Sequence, residues 1–212
     1  MNLFYLHPDP VIAAQLQCDK HVVKMIVESA QMLSTSHRIL DGAMEKRLSK
    51  SGKRLVKYWK HEDFVMEAVL YKAVHMGHPC TVWTMESDAN YQWHYQHFVA
   101  LCDEYKYRYG KVHHTDTILR GMLKTLPKNI PTGDMTPIKL AMKSNPECMF
   151  PDDPVKSYRL YYKTKKDRFK MVWTNRETPE WFLEEPTKQQ ERYYDYMLRR
   201  YREEENKINA KL

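Results

Sequence analysis

Residues 18–38 read CDKHVVKMIVESAQMLSTSHR, and the reading of this stretch decides the fold. It has the pattern of one helix of about five to six turns. With His21 at the origin of a helical wheel, Lys20, His21, Lys24, Glu28, Gln31, Thr35 and Arg38 share one strip roughly 100° wide. Nearly all the rest is apolar or small: Val22, Val23, Met25, Ile26, Val27, Ala30, Met32 and Leu33. A surface helix normally carries a broad polar face and a narrower apolar one. Here the proportions are reversed, so the helix is expected to be covered on most sides. Its polar strip then either lines a cleft or forms the solvated edge of a core helix.

Working outward, His7-Pro8-Asp9-Pro10 is a turn, and Asp9 with Pro10 suits the start of a short helix ending near Gln17. Leu3–Leu6 before it fits a short strand or an extended segment. Asp41-Gly42 stops the main helix. Residues 43–60 carry Lys46, Arg47, Lys50, Lys53, Arg54, Lys57 and Lys60 around Ser51-Gly52, and read as a basic, exposed connection with some helix in it. Helical periodicity returns over Glu62–Met76, and a long helix is expected over Thr81–Tyr109, closed by Gly110. On its wheel Glu86, Asn90, Trp93, His97, Glu104 and Arg108 fall along one line, opposite Tyr95, Phe98, Val99 and Cys102. Two polar strips on two helices suggest a shared cleft holding Lys24, Glu28, Asn90, His97, Glu104 and Arg108.

Lys111-Val112-His113-His114 is a basic turn, and Thr117–Leu126 a short helix stopped by Pro127. Residues 127–154 hold Pro127, Pro131, Pro137, Pro146, Pro151 and Pro154, the composition of a long irregular loop, which in a compact domain is often a binding segment or lid. Asp153-Pro154 restarts a helix, and Pro186–Ala210 is a highly charged one. The expected fold is mainly α: a helical domain over 1–182 with the optional N-terminal strand and the Pro-rich loop, then a charged C-terminal helix over 183–212.

Composition narrows the function. Hydrophobic residues at 42% mark a folded chain. No apolar run approaches the roughly 18 residues of a membrane span, and no secretory signal pattern is present, so the expected setting is the cytoplasm, without a membrane partner. Cys18, Cys80, Cys102 and Cys148 are scattered, with no C-x-x-C pair for a zinc ribbon or thioredoxin-type centre. H-E-x-x-H, Glu-x-x-His pairs and the deaminase signature are absent. His75-x-x-His78 and His94-x-x-His97 have ligand-like spacing, but ten histidines produce such pairs by accident. Six glycines build no Walker or G-x-G-x-x-G loop, and no G-x-S-x-G elbow occurs. No metal and no cofactor are expected.

What remains is a set of lysine, carboxylate and histidine side chains on helices in a chain of net charge +7. Lys24 beside Glu28 and His21 suits an amine nucleophile or base, with Glu28 or Glu104 as carboxylate and His21 and His97 as proton carriers. An i, i+4 ion pair of Lys24 with Glu28 explains the same residues structurally. Arg159, Lys163, Lys165, Lys166, Arg168, Lys170 and Arg176, interleaved with Tyr158, Tyr161, Tyr162, Trp173 and Trp181, suit phosphates and unstacked bases, or a solvated helix over a packed aromatic underside. Gln31, Asn90, Trp93, Arg108, Lys111, His113, Arg159, Tyr162 and Arg176 are the candidate substrate-binding residues. These parts fit an enzyme acting on nucleic acid, DNA ahead of RNA, by base excision or modification. The competing readings are a non-catalytic binder of nucleic acid or host protein, and an enzyme on free nucleotides.

DPVIAAQLQCDKHVVKMIVESAQMLSTSHR (9–38), HPCTVWTMESDANYQW (78–93), EYKYRYGKVHH (104–114), DDPVKSYRLYY (152–162) and TPEWF (178–182) resemble a family of uncharacterised proteins of tailed phages, particularly T4-like phages of cyanobacteria and other marine hosts. The resemblance implies a phage context and the host cytoplasm. It carries no activity and no catalytic residue. Residues 43–60 and the final helix look like additions of this member.

Overall fold

The computed structural model describes residues 1–209, and the last residues expected in the C-terminal helix lie outside them. The chain is mainly α. Helix α1 (Pro10–Gln15) leads into α2 (Asp19–Asp41), followed by strands β1 (Gly42–Leu48) and β2 (Leu55–His61). Then come α3 (Phe64–Val69), α4 (Pro79–Glu86), α5 (Asp88–Tyr109), α6 (His114–Leu123), α7 (Pro154–Lys163), α8 (Glu180–Leu183) and α9 (Lys188–Asn209). Short 3-10 turns lie at Pro146–Cys148 and Thr164–Asp167. No described helix is long and apolar enough to cross a membrane.

Helix α2 is the axis, packing against α4, α5, α6 and the root of the hairpin. Val22, Met25, Ile26, Ala30, Met32 and Leu33 are buried with Trp83, Tyr91, Phe98, Leu101, Leu119, Tyr158 and Tyr162. Its polar strip begins at the surface with Lys20 and Lys24 and runs into the interior, where Thr35 and Arg38 are buried. The caps follow the sequence. Asp9 Oδ1 accepts from the Val11 and Ile12 amides, Asp153 Oδ1 from Lys156, and Gly110 closes α5 at φ 64°.

Four expectations need correction. Residues 43–60 form an antiparallel hairpin in the register Gly42↔His61 to Leu48↔Leu55, turning near Gly52 at φ 70°. The β-branched and aromatic residues Val56, Tyr58 and Trp59 and the Ser51-Gly52 turn signal it. The register puts Lys46 and Lys57 on one face and Arg47 and Lys60 on the other, with Arg47 packed over the Tyr58 ring. The span Thr81–Tyr109 is two helices, because Ser87 is extended (φ −154°, ψ 160°) and its Oγ accepts from the Asn90 amide to start α5.

Leu3–Leu6 is buried but is no strand. Asn2 Oδ1 accepts from the Phe4 amide, Phe4 takes φ 49°, and Leu6 N–H turns back to the Phe4 carbonyl at 2.7 Å. Helix α3 stops at Val69 instead of reaching Met76. The Arg38 guanidinium donates to the Glu67, Leu70 and Tyr71 carbonyls at 3.0, 2.9 and 2.7 Å, and so caps the end of α3.

The Pro-rich segment is a strap sewn onto the helices. Asn90 Oδ1 accepts from the Thr136 amide, Trp83 donates to the Thr136 carbonyl, and Tyr158 donates to the Lys139 carbonyl at 2.6 Å. Helix α9 meets the body at the Pro146–Cys148 turn, with Tyr193 against Phe150 at 5.0 Å between ring centres.

Candidate functional site

Helices α2 and α5 touch, but their polar strips do not face each other across one cleft. Arg108 finds its acidic partners in Glu104 at 2.8 Å and Asp19 at 2.9 Å, not in Glu28. Arg176 closes the group with two bonds to Glu104 at 3.0 and 2.9 Å, and Asp19 also accepts from the Thr174 amide and hydroxyl. Two guanidinium and two carboxylate groups therefore satisfy one another and pin the 170s segment to α2 and α5. Asn90 is spent on the strap. His97 is buried, stacks on Trp93 at 5.3 Å and bonds the Gln17 amide nitrogen at 3.1 Å; burial drives its pKa down to about 3. Trp93 donates to the Pro8 carbonyl. His113 caps α6 by accepting from the Thr115 amide, and Lys111 is exposed. Lys111 apart, each of these side chains is held in a structural contact.

The solvent-facing edge of α2 is different. Lys24, 66% exposed, pairs with Glu28 at 3.2 Å, and Glu28 also faces the Met1 amino group at 3.5 Å. Gln31 continues this edge, half-buried, one turn beyond. One turn earlier, His21 is buried between aromatic rings: it stacks on Phe4 at 4.6 Å and meets Phe169 edge-on at 5.4 Å. The Tyr162 hydroxyl accepts from the Cys18 amide at 2.8 Å and shares a hydrogen bond with His21 Nδ1, 2.7 Å away. Burial first, then Lys24 and Lys165, lower the His21 pKa to about 4, so the ring is neutral near pH 7. Phe4 holds its stacking position at a positive φ that a bulky residue adopts only under constraint.

Lys165 completes this edge. It is 6% exposed, and its ammonium sits 3.5 Å from the centre of the Tyr161 ring. Burial, with Arg168 and Lys24 nearby, brings its pKa down to about 8. Among the described residues no carboxylate pairs with it. Lys20 lies 4.8 Å over Phe169, and the rings of Phe4, Tyr162 and Phe169 enclose His21, with Lys24 and Lys165 close enough to lower its pKa. Beside them a groove of about 500 Å³ opens between α7, α8 and α9. Arg159, Lys163, Trp181 and Tyr194 line it with Glu184 and Glu185, and Cys148, a neighbour of Lys165, stands in its wall.

Sequence reading placed Lys165 among the phosphate-binding charges and missed its burial. The signal was Tyr158, Tyr161, Tyr162 and Lys165 at i, i+3, i+4 and i+7, one face of a helix whose other members are aromatic. As to metals, one cluster among the described residues brings three ligand atoms within 4.8 Å of one another: His37, Asp41 and His61, at the far end of α2. His94 instead bonds Thr84 at 2.7 Å. Comparison of the chain with protein-family models, curated proteins and solved structures finds no match.

Proposed function

We propose that this chain acts on nucleic acid, as a phage-encoded enzyme that excises a base of DNA through the lysine-rich edge of α2. The observation that carries the reading is Lys165: a buried amine without a carboxylate partner among the described residues, beside neutral His21 and Lys24, the latter paired with Glu28. Isolated surface lysines stay protonated near pH 7, whereas an amine titrating near 8 offers a sizeable fraction of free base. In the proposed step the Lys165 Nζ lone pair attacks C1′ of a flipped nucleotide. The glycosidic bond breaks, its electron pair leaves with the base, and the base takes a proton from water. The adduct's nitrogen then gives a proton to O4′ as the C1′–O4′ bond opens, its own lone pair forming the iminium. Hydrolysis of that iminium by water returns the lysine and leaves an abasic sugar. Glu28 supports the positive charge at C1′, Lys20 and Lys24 receive phosphates, and the aromatic groove with Arg159 and Trp181 holds bases. Glu104, His97, Asn90 and Arg108 have structural roles in this account.

A second reading, a binder without turnover, is favoured by the full engagement of those last four residues. Nucleoside mass spectrometry separates the two. DNA incubated with the wild type should lose one base, and Lys165→Ala and Glu28→Gln should abolish the loss while binding persists. Intact DNA with salt-sensitive binding by all three proteins supports the binder. Neither loss nor binding overturns the nucleic-acid reading.

A further inference from the structure

The far end of α2 carries a second constellation. His37 and Asp41 stand at i, i+4 on the last turn, and the register Gly42↔His61 brings the end of β2 back beside them. That reversal is tight: a Cβ on Gly42 would overlap the Arg38 carbonyl oxygen and lie 2.8 Å from that of Lys60. His37, His61 and the Asp41 carboxylate are all buried.

Two nitrogens here have no hydrogen-bond partner, His37 Nδ1 and His61 Nε2. The surroundings fix what His37 offers. Tyr91 gives its hydroxyl proton to the Leu123 carbonyl at 3.0 Å, so at 2.8 Å it can only accept from His37 Nε2–H. The His37 Nδ1 lone pair is thereby left free. Asp41 is fixed by three N–H donors, the Lys128 amide on Oδ2 at 2.8 Å and the amide and side chain of Asn129 on Oδ1. Outer partners of this kind, on a histidine N–H and on a carboxylate, are how proteins orient metal ligands.

Asp41 Oδ2 and His61 Nε2 are 3.9 Å apart, too far for a hydrogen bond. Two ligands sharing a tetrahedral ion at about 2.0–2.1 Å stand roughly 3.4 Å apart, so this pair closes by about half an ångström and the three atoms, now within 4.8 Å of one another, draw together around the ion. We propose that His37 Nδ1, Asp41 Oδ2 and His61 Nε2 bind a zinc-type divalent ion that clamps the hairpin to α2 and to the Lys128-Asn129 strap. Two imidazoles and one carboxylate suit zinc, with water in the fourth position. His61 now accepts from the Asp63 amide through Nδ1 at 3.1 Å, so its proton is on Nε2. Binding moves that proton to Nδ1, and the Asp63 contact gives way.

The test uses the full chain, stripped with a chelator and titrated with zinc. Expected are about one zinc per chain, a rise in melting temperature, and transfer of the His61 imidazole proton from Nε2 to Nδ1 in nitrogen-15 spectra. His61→Gln should lose the zinc-dependent rise. Tyr91→Phe, which keeps the core shape and removes the outer partner of His37 along with one bond to the Leu123 carbonyl, should weaken binding about 10–100-fold. Wild-type protein that neither binds zinc nor melts higher with it overturns the site, as does undiminished binding by His61→Gln. The wild-type titration decides the matter even if a variant fails to fold.

Discussion

Replacing Arg38 by alanine tests how the interior end of α2 organises the chain. The Arg38 side chain is 1% exposed and spends all five of its N–H donors. Nε donates to the Tyr71 carbonyl, Nη1 to the Trp59 carbonyl and the Glu67 carboxylate, and Nη2 to the Glu67 and Leu70 carbonyls. Alanine strands four carbonyls and takes the buried cation from the Glu67 carboxylate, which keeps the Tyr58 hydroxyl and the His61 amide. Removing one partner of a buried pair costs about 3–5 kcal/mol, and stranded acceptors act in the same direction. The Glu67 side chain keeps some contact with water at 19% exposure, which holds the expected loss near about 3 kcal/mol. Urea unfolding followed by tryptophan fluorescence should show a lower midpoint at unchanged slope. Arg38→Lys keeps the charge but not the fork, and should lose roughly half as much. A loss under about 1 kcal/mol for Arg38→Ala, or equal losses for the two variants, would refute the argument.

Gly42→Ala should cost about 1–3 kcal/mol, because its Cβ meets backbone on both sides and neither carbonyl can step aside; thermal melting checks it, and a neutral result would contradict the tight reversal. Acid should unfold the chain early. His21 and His97 have folded pKa values of about 4 and about 3 against an ordinary 6.5, so the unfolded chain takes up protons that the folded one refuses. Their contribution is whole above about pH 6.5 and falls away as pH drops through 4, on the order of a few kcal/mol together. A melting temperature flat from pH 7 to 4 would show that these rings are not held neutral.

The sequence made α2 legible because its apolar residues surround a narrow polar strip, a pattern that only a covered helix needs. The end of that strip was harder to read. Arg38 looked like one more cleft residue, whereas its carbonyl partners lie on α3, on β2 and just past α3, and backbone acceptors leave no mark on sequence. The hairpin was hidden because its basic residues lie on both faces, Lys46 and Lys57 on one and Arg47 and Lys60 on the other, which erases any two-residue alternation. The break at Ser87 carries no glycine or proline, only a serine that caps. His61 joins His37 and Asp41 through strand register, and helical periodicity says nothing about that. Lys165 was readable in principle, since its burial follows from the tyrosines on its own face, but a run of five cations disguised it.

The proposed chemistry rests on one amine, and borohydride trapping on DNA containing an abasic site addresses it most directly. The account predicts a covalent adduct mapped by peptide mass spectrometry to Lys165, with a yield that rises with pH through about 8. The adduct should vanish in Lys165→Ala and persist in Lys166→Ala. No adduct at any pH, or one that Lys165→Ala leaves unchanged, would contradict it.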